Sequence, residues 1–183
     1  MPDTCREDVI ELSDYAWRRL DERMAGLTDA EYLWEPVPGC RTVRAGLDGV
    51  FRSDGPARPG EAAGFTTLAW RLCHIADLLR ERRNGPWLGR PAPPTREPDG
   101  DPPTADAALA ALTEAHDCWR PILTATTEQS LAEPMGPVAG HYADATRRSF
   151  VLHILDELIH HGAEAALLRD LYAASAGTVG PRT

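Results

Sequence analysis

The 183-residue sequence predicts an all-α fold, an antiparallel four-helix bundle with long loops between its helices. Three observations predict it. Four segments repeat apolar residues at steps of three and four, no run alternates convincingly with the period of a strand, and stretches rich in Pro and Gly separate the segments. At this length one domain over residues 1–183 with a real core is expected, and no internal repeat is visible.

Thr4 and Glu7 have the spacing of a capping box, and Val9, Leu12, Ala16, Leu20, Met24 and Leu27 follow at helical steps. A first helix over Cys5 to Met24 is expected. Thr28 with Glu31 offers a second start for one turn, before Pro36, Pro38 and Gly39 stop it. From there to Gly64 the chain is a long connection, expected to wall one end of a pocket. A second helix should start near Thr66 or Thr67 and stop at Asn84-Gly85, with Leu68, Leu72, Ile75 and Leu79 as its apolar stripe. Its other face, Thr67, Trp70, His74, Asp77, Leu78 and Glu81, mixes rings and charges as the wall of a partly wet pocket does.

The proline-rich run Pro86–Pro103 reads as a flexible surface linker, extended and without packed structure. A third helix begins after Thr104, with Ala108, Leu109, Leu112, Ala115 and Trp119 facing in; Pro121 is expected to kink or end it. Glu133–Gly140 leads to a last helix over Thr146–Ser175, followed by a short loose tail at about 176–183. Gly162 inside that helix costs about 1 kcal/mol against Ala, which predicts close approach of a neighbouring backbone or ligand beside His161.

The net charge of −9 argues against a nucleic-acid binder, because phosphate contacts need a basic stripe and Arg82-Arg83 and Arg147-Arg148 are too short to make one. The N-terminus lacks a signal pattern and no run reaches the roughly 18 apolar residues of a membrane span. A soluble cytoplasmic protein with no membrane partner is expected. Cys5, Cys40, Cys73 and Cys118 are scattered and read as reduced thiols. All 19 basic residues are arginine, the mark of a GC-rich coding sequence and so of bacteria whose small thiol is often mycothiol.

The chemistry concentrates in the last helix. Projected at roughly 100° per residue, Phe150, Ile154, Glu157, His161, Ala165, Leu168 and Tyr172 share one narrow face. A carboxylate there costs several kcal/mol unless a cation or donor satisfies it. A metal held by Glu157 and His161, one turn apart, meets that need with a third ligand from another helix, for which His74 is the candidate. Two neutral imidazoles and a carboxylate suit Zn²⁺ first, and also Ni²⁺, Fe²⁺ or Mn²⁺, and leave positions open for water or substrate. Trp70, Arg71, Asp77 and Glu81 would shape the pocket wall.

Plainer readings compete. A Glu and a His four apart are common as a solvated pair, so the apolar placement carries the weight rather than the spacing. Asp156 with His160 projects away from that face and reads as such a pair; His153 stands as an outlying ligand or a neighbour of the ligands. His116 and His141 read as surface histidines, and Cys73, about 100° from His74, as a buried thiol. Glu157 can instead pair with an arginine such as Arg71, with no metal. No GxSxG elbow, phosphate-cradling loop or dinucleotide fingerprint is present.

Three segments, Leu27-Thr28-Asp29 with Trp34-Glu35-Pro36-Val37-Pro38-Gly39, then Trp70-Arg71-Leu72-Cys73-His74-Ile75, then Glu157-Leu158-Ile159-His160-His161-Gly162, resemble the DinB-like superfamily of metal-binding four-helix bundles. The resemblance implies one ligand from the second helix and two from the last, which fall on His74, Glu157 and His161. Many members carry histidine where Glu157 stands. The carboxylate version is similar to the mycothiol-dependent maleylpyruvate isomerase branch, which implies a metal-dependent thiol S-transferase taking mycothiol and a small-molecule acceptor. The sequence ends soon after the last helix, without that isomerase's second domain, so maleylpyruvate itself is not the expected substrate. Metal-assisted hydrolysis and a non-catalytic ligand- or metal-binding bundle are the alternatives, and a homodimer is expected by analogy.

Overall fold

The computed structural model describes residues 5–55, 64–93 and 99–177. In chain order they form α1 (Cys5–Met24), α2 (Asp29–Tyr32), β1 (Val43–Ala45), β2 (Phe51–Ser53), α3 (Leu68–Arg80), α4 (Asn84–Trp87), α5 (Ala105–Thr124), α6 (Glu128–Ala132), a 3₁₀ turn at Pro137–Tyr142 and α7 (Arg147–Gly177). The four long helices α1, α3, α5 and α7 make the expected four-helix bundle, in which antiparallel and parallel neighbours alternate. Side-chain hydroxyls start the helices: Thr67, Thr104 and Thr127 accept the backbone N–H of Trp70, Ala107 and Ser130, and Thr146 that of Ser149. Thr28 does the same for Glu31 and opens the single turn of α2. The capping box expected at Thr4 lies outside the described residues.

The predicted stripes are the core. Leu68, Leu72, Ile75 and Leu79 of α3 are buried, as are Val9, Ala16, Leu20 and Met24 of α1 and Ala108, Leu112, Ala115 and Trp119 of α5. Contacts fix the helix directions. Ser13 meets Trp119 and Arg6 meets Thr126, so α1 and α5 run antiparallel; Arg71 meets Glu164 and His74 meets Glu157, so α3 and α7 do as well. Leu20 lies beside Gly162 and Arg23 beside Asp170, so α1 and α7 run parallel. α5 therefore runs parallel to α3.

Several expectations change. The stretch predicted as an unpacked linker is packed in its described parts: Leu88 is buried, Asp101 accepts from both the backbone N–H and the hydroxyl of Ser53, and Tyr32 donates to the Pro102 carbonyl. The second helix ends at Arg80 rather than Asn84, because the Asn84 amide folds back and donates to the carbonyls of Leu78 and Leu79 that a longer helix would use. Pro121 lies within α5 without ending it. The connection after α2 contains a small antiparallel hairpin, with Arg44 opposite Arg52, where no strand is expected. A Cβ on Gly162 would meet Leu20 at 3.9 and 4.0 Å, ordinary contact, so no close approach explains this glycine. His116 is buried rather than at the surface, stacked on Trp17 with ring centroids 4.1 Å apart. The tail predicted at about 176–183 falls almost wholly outside the described residues. None of the helices among those residues is long and apolar enough to cross a membrane.

Candidate metal centre

The facing surfaces of α3 and α7 bring three predicted residues together. Glu157 Oε2 lies 3.4 Å from His74 Nε2 and 3.0 Å from His161 Nε2, and the three donor atoms all lie within 4.8 Å of one another. An ion about 2.0–2.2 Å from each donor sets neighbouring donors about 3.0–3.5 Å apart, so the carboxylate already stands at ligand spacing from both rings. The setting is graded: the His161 side chain is 10% exposed, Glu157 27% and His74 36%. The group is backed by core on one side and open to solvent on the other, where further positions on an ion would lie.

The electrostatics suit a ligand set. Burial presses the His161 pKa below its usual value, helped by the positive charge of Arg71 and by His74, against the opposing pull of Glu164. The neutral ring, the form that ligates, is thereby favoured. Burial raises Glu157, but the hydrogen bond from His74 and the neighbouring His161 and His153 outweigh it and hold the carboxyl below its ordinary range. Glu157 is a carboxylate facing imidazoles and not a buried neutral acid.

One contributor is absent from the sequence reading. Glu164 Oε2 lies 2.8 Å from His161 Nδ1, and Arg71 Nη1 lies 2.8 Å from that oxygen and 2.7 Å from that nitrogen. Nδ1 of His161 is thus held between the Glu164 carboxylate and the Arg71 guanidinium, and Nε2 is the ring nitrogen turned to Glu157, the placement in which a carboxylate orients a ligating histidine. His160, His161 and Glu164 also cluster within 4.8 Å. There the guanidinium of Arg71 already supplies the positive charge. The sole sequence signal for Glu164 is its position one turn beyond His161.

Arg71 therefore pairs with Glu164, and the metal-free alternative of an Arg71–Glu157 pair is not what the structure shows. Trp70 stacks on His74, centroids 5.1 Å apart, and its indole N–H donates to the Asp54 carbonyl at 2.8 Å, fixing the ring. Asp77 does not join the site: it is exposed and pairs with Arg80 one turn away, and Glu81 pairs with Arg83. His153 is exposed and lies beside Trp87 and Phe150, while His160 is exposed and reaches Glu164 at 3.3 Å. Burial pushes the Cys73 thiol up to about 12, so it is a thiol and not a thiolate at neutral pH, and its sulfur lies 3.7 Å from the Tyr32 hydroxyl, apart from the His74, Glu157 and His161 group. All four cysteines are free.

An open cleft of about 900 Å³ adjoins the group through His161. Trp70, Arg71 and Glu164 line it from the helices, and Trp34, Val37, Arg41 and Phe65 from the long connection after α2, which walls the pocket as its position in the sequence predicts. The sequence model of the DinB superfamily matches residues 13–165. The chain belongs to the DinB superfamily. A crystal structure described as the conserved protein of locus from Enterococcus faecalis shares this DinB-type fold with a TM-score of 0.60 at 14% identity, covering 94% of this chain and 99% of that one. At that identity the likeness concerns the fold alone. No curated protein matches the chain. The match spans α3 and α7 up to Ala165, and so contains His74, Glu157 and His161.

Proposed function

We propose that His74, Glu157 and His161 hold a divalent ion, Zn²⁺ in preference to Ni²⁺, Fe²⁺ or Mn²⁺, and that the protein is a cytoplasmic metal-dependent thiol S-transferase using mycothiol and a small-molecule acceptor. The observation that carries the metal reading is the position of Glu157 Oε2, 3.4 and 3.0 Å from the two Nε2 atoms. An ion there favours thiolate over thiol in a bound cosubstrate and so supplies a nucleophile at neutral pH. The chain's own parts are then divided. Glu157 brings the negative charge, Glu164 orients His161, Trp70 packs against His74, and the adjoining cleft receives the acceptor. Cys40 and Cys73 are buried, and neither Cys5 nor Cys118 lines the cleft, which favours a thiol brought from outside.

Elemental analysis of protein purified without chelator tests this. Wild type is expected to carry close to one metal per chain, and Glu157→Ala and His161→Ala to lose it while their helical circular dichroism persists. Equal metal in all three would remove the basis of the reading. With metal established, turnover that requires mycothiol supports transfer, whereas turnover without any thiol would assign the site to hydrolysis.

A further inference from the structure

The cleft beside His161 has two unlike ends. Its rim is apolar: Val37, Phe65, Leu167 and Leu171 are all exposed there, Phe65 at 68%. Large apolar side chains gathered along one opening mark a binding surface, unlike the same residues scattered singly. At the inner end two guanidiniums flank the Trp70 indole, with Arg41 Cζ 5.0 Å and Arg71 Cζ 5.1 Å from a ring centroid. Glu164 meets the charge of Arg71. Arg41 has no carboxylate partner among the described residues: its Nη1 reaches the Gly55 carbonyl at 3.5 Å, and its Nε is buried without an acceptor.

In a chain of net charge −9, the described residues that line this cleft carry two guanidiniums against one carboxylate, an excess of one positive charge along its wall. Such a spot draws an anion out of proportion to the protein's overall charge. Stacking on Trp70 also holds the Arg41 guanidinium in place before a ligand arrives, so less freedom is lost on binding.

We propose that the cleft binds an amphipathic monocarboxylate, its head on Arg41 and its apolar chain along Phe65, Leu167 and Leu171. One guanidinium without a carboxylate partner among the described residues matches one negative charge, and its planar fork matches a carboxylate. A phosphate dianion would leave half its charge unmet. The volume of about 900 Å³ suits a small organic acid. His161 belongs to both the cleft wall and the Glu157 group, so a molecule bound here lies against that group. Assigning this acid as the acceptor substrate rests on the metal reading above; its binding does not.

The test titrates octanoate, 1-octanol and octylammonium into wild type, Arg41→Gln and Leu167→Glu, by tryptophan fluorescence and calorimetry, with the metal content and oligomeric state of each protein measured in parallel. Wild type is expected to bind octanoate about tenfold or more tighter than octanol and to reject octylammonium, a charge-assisted hydrogen bond being enough for that ratio. Arg41→Gln should erase the preference, leaving octanol binding and metal content unchanged. Leu167→Glu, at an exposed helical position, should weaken both neutral and anionic probes. Equal affinity for octanoate and octanol, octanoate binding indifferent to Arg41→Gln, or an absence of octanoate binding in a dimer that Leu167→Glu splits would each overturn the proposal. Selective octanoate binding by a preparation that never holds metal would uphold the carboxylate site and sink the metal reading, so the two fail separately.

Discussion

Glu164 Oε2 sits 2.8 Å from His161 Nδ1, the ring nitrogen that does not face Glu157. Groups that orient a ligating histidine in this way typically change metal affinity about 10–100-fold when removed. Glu164→Ala is therefore expected to weaken Zn²⁺ binding by at least about tenfold, with the helical content preserved. Competition against a chromogenic chelator reads the change, and an unchanged affinity would reduce Glu164 to a partner of Arg71.

Arg169 clamps the turn after α1 onto α7. Its guanidinium donates to both carboxylate oxygens of the buried Glu31, at 2.6 and 3.1 Å, and to the carbonyl of Ala25 at 2.9 Å. Removing one member leaves the other charge largely desolvated, so Glu31→Ala should cost about 3 kcal/mol of stability. Urea unfolding measures this, and a loss within experimental error would show that solvent reaches the pair.

Acid should weaken the fold through two histidines. Burial lowers the pKa of both His116 and His161 below 6.5 in the folded chain, while the unfolded chain protonates them near that value. Below 6.5 the unfolded state therefore binds more protons, and the stability present above that pH is lost as pH falls toward the depressed folded values. Chelator-treated protein should unfold at lower urea at pH 5.5 than at 7.5. His116→Phe, which keeps a ring against Trp17, should flatten part of that dependence; an unaltered slope would place the effect elsewhere.

Gly162 offers a gain. It lies within α7, and an added Cβ would meet Leu20 at 3.9 and 4.0 Å. Gly162→Ala should raise stability by about 1 kcal/mol, the usual helical difference. Thermal unfolding checks it, and a loss would reveal a packing constraint at the α1–α7 contact.

Features fixed by local pattern were legible in the sequence. The stripe on α3 and the start of that helix at Thr67 follow from spacing and from the hydroxyl placed for the first turn. So did the shared face of Glu157 and His161, since one turn of helix determines it. Features that depend on a distant partner were not. Nothing local says that Asn84 reaches back to end α3, that Trp17 buries His116, or that Arg71 draws Glu164 into the site. The hairpin was hidden for a related reason: strands of three residues, two of them carrying arginine opposite arginine, are too short to alternate detectably. Asp77 misled because the pocket-facing side of α3 is narrower than the polar face read from the sequence, and its carboxylate turns to Arg80.

The bond from the Trp70 indole to the Asp54 carbonyl fastens the connecting segment to the helix that carries His74. Holder and gatekeeper are thus separate pieces of one chain: His74, Glu157 and His161 ride on two long helices, and much of the entrance belongs to a loop pinned to the start of α3 by Trp70 at Asp54 and by Thr67 at Arg41 and Thr42. Exchanging that loop for one of different chemistry, with those pins kept, would retune which guest is admitted while the His74, Glu157 and His161 group stays as it is.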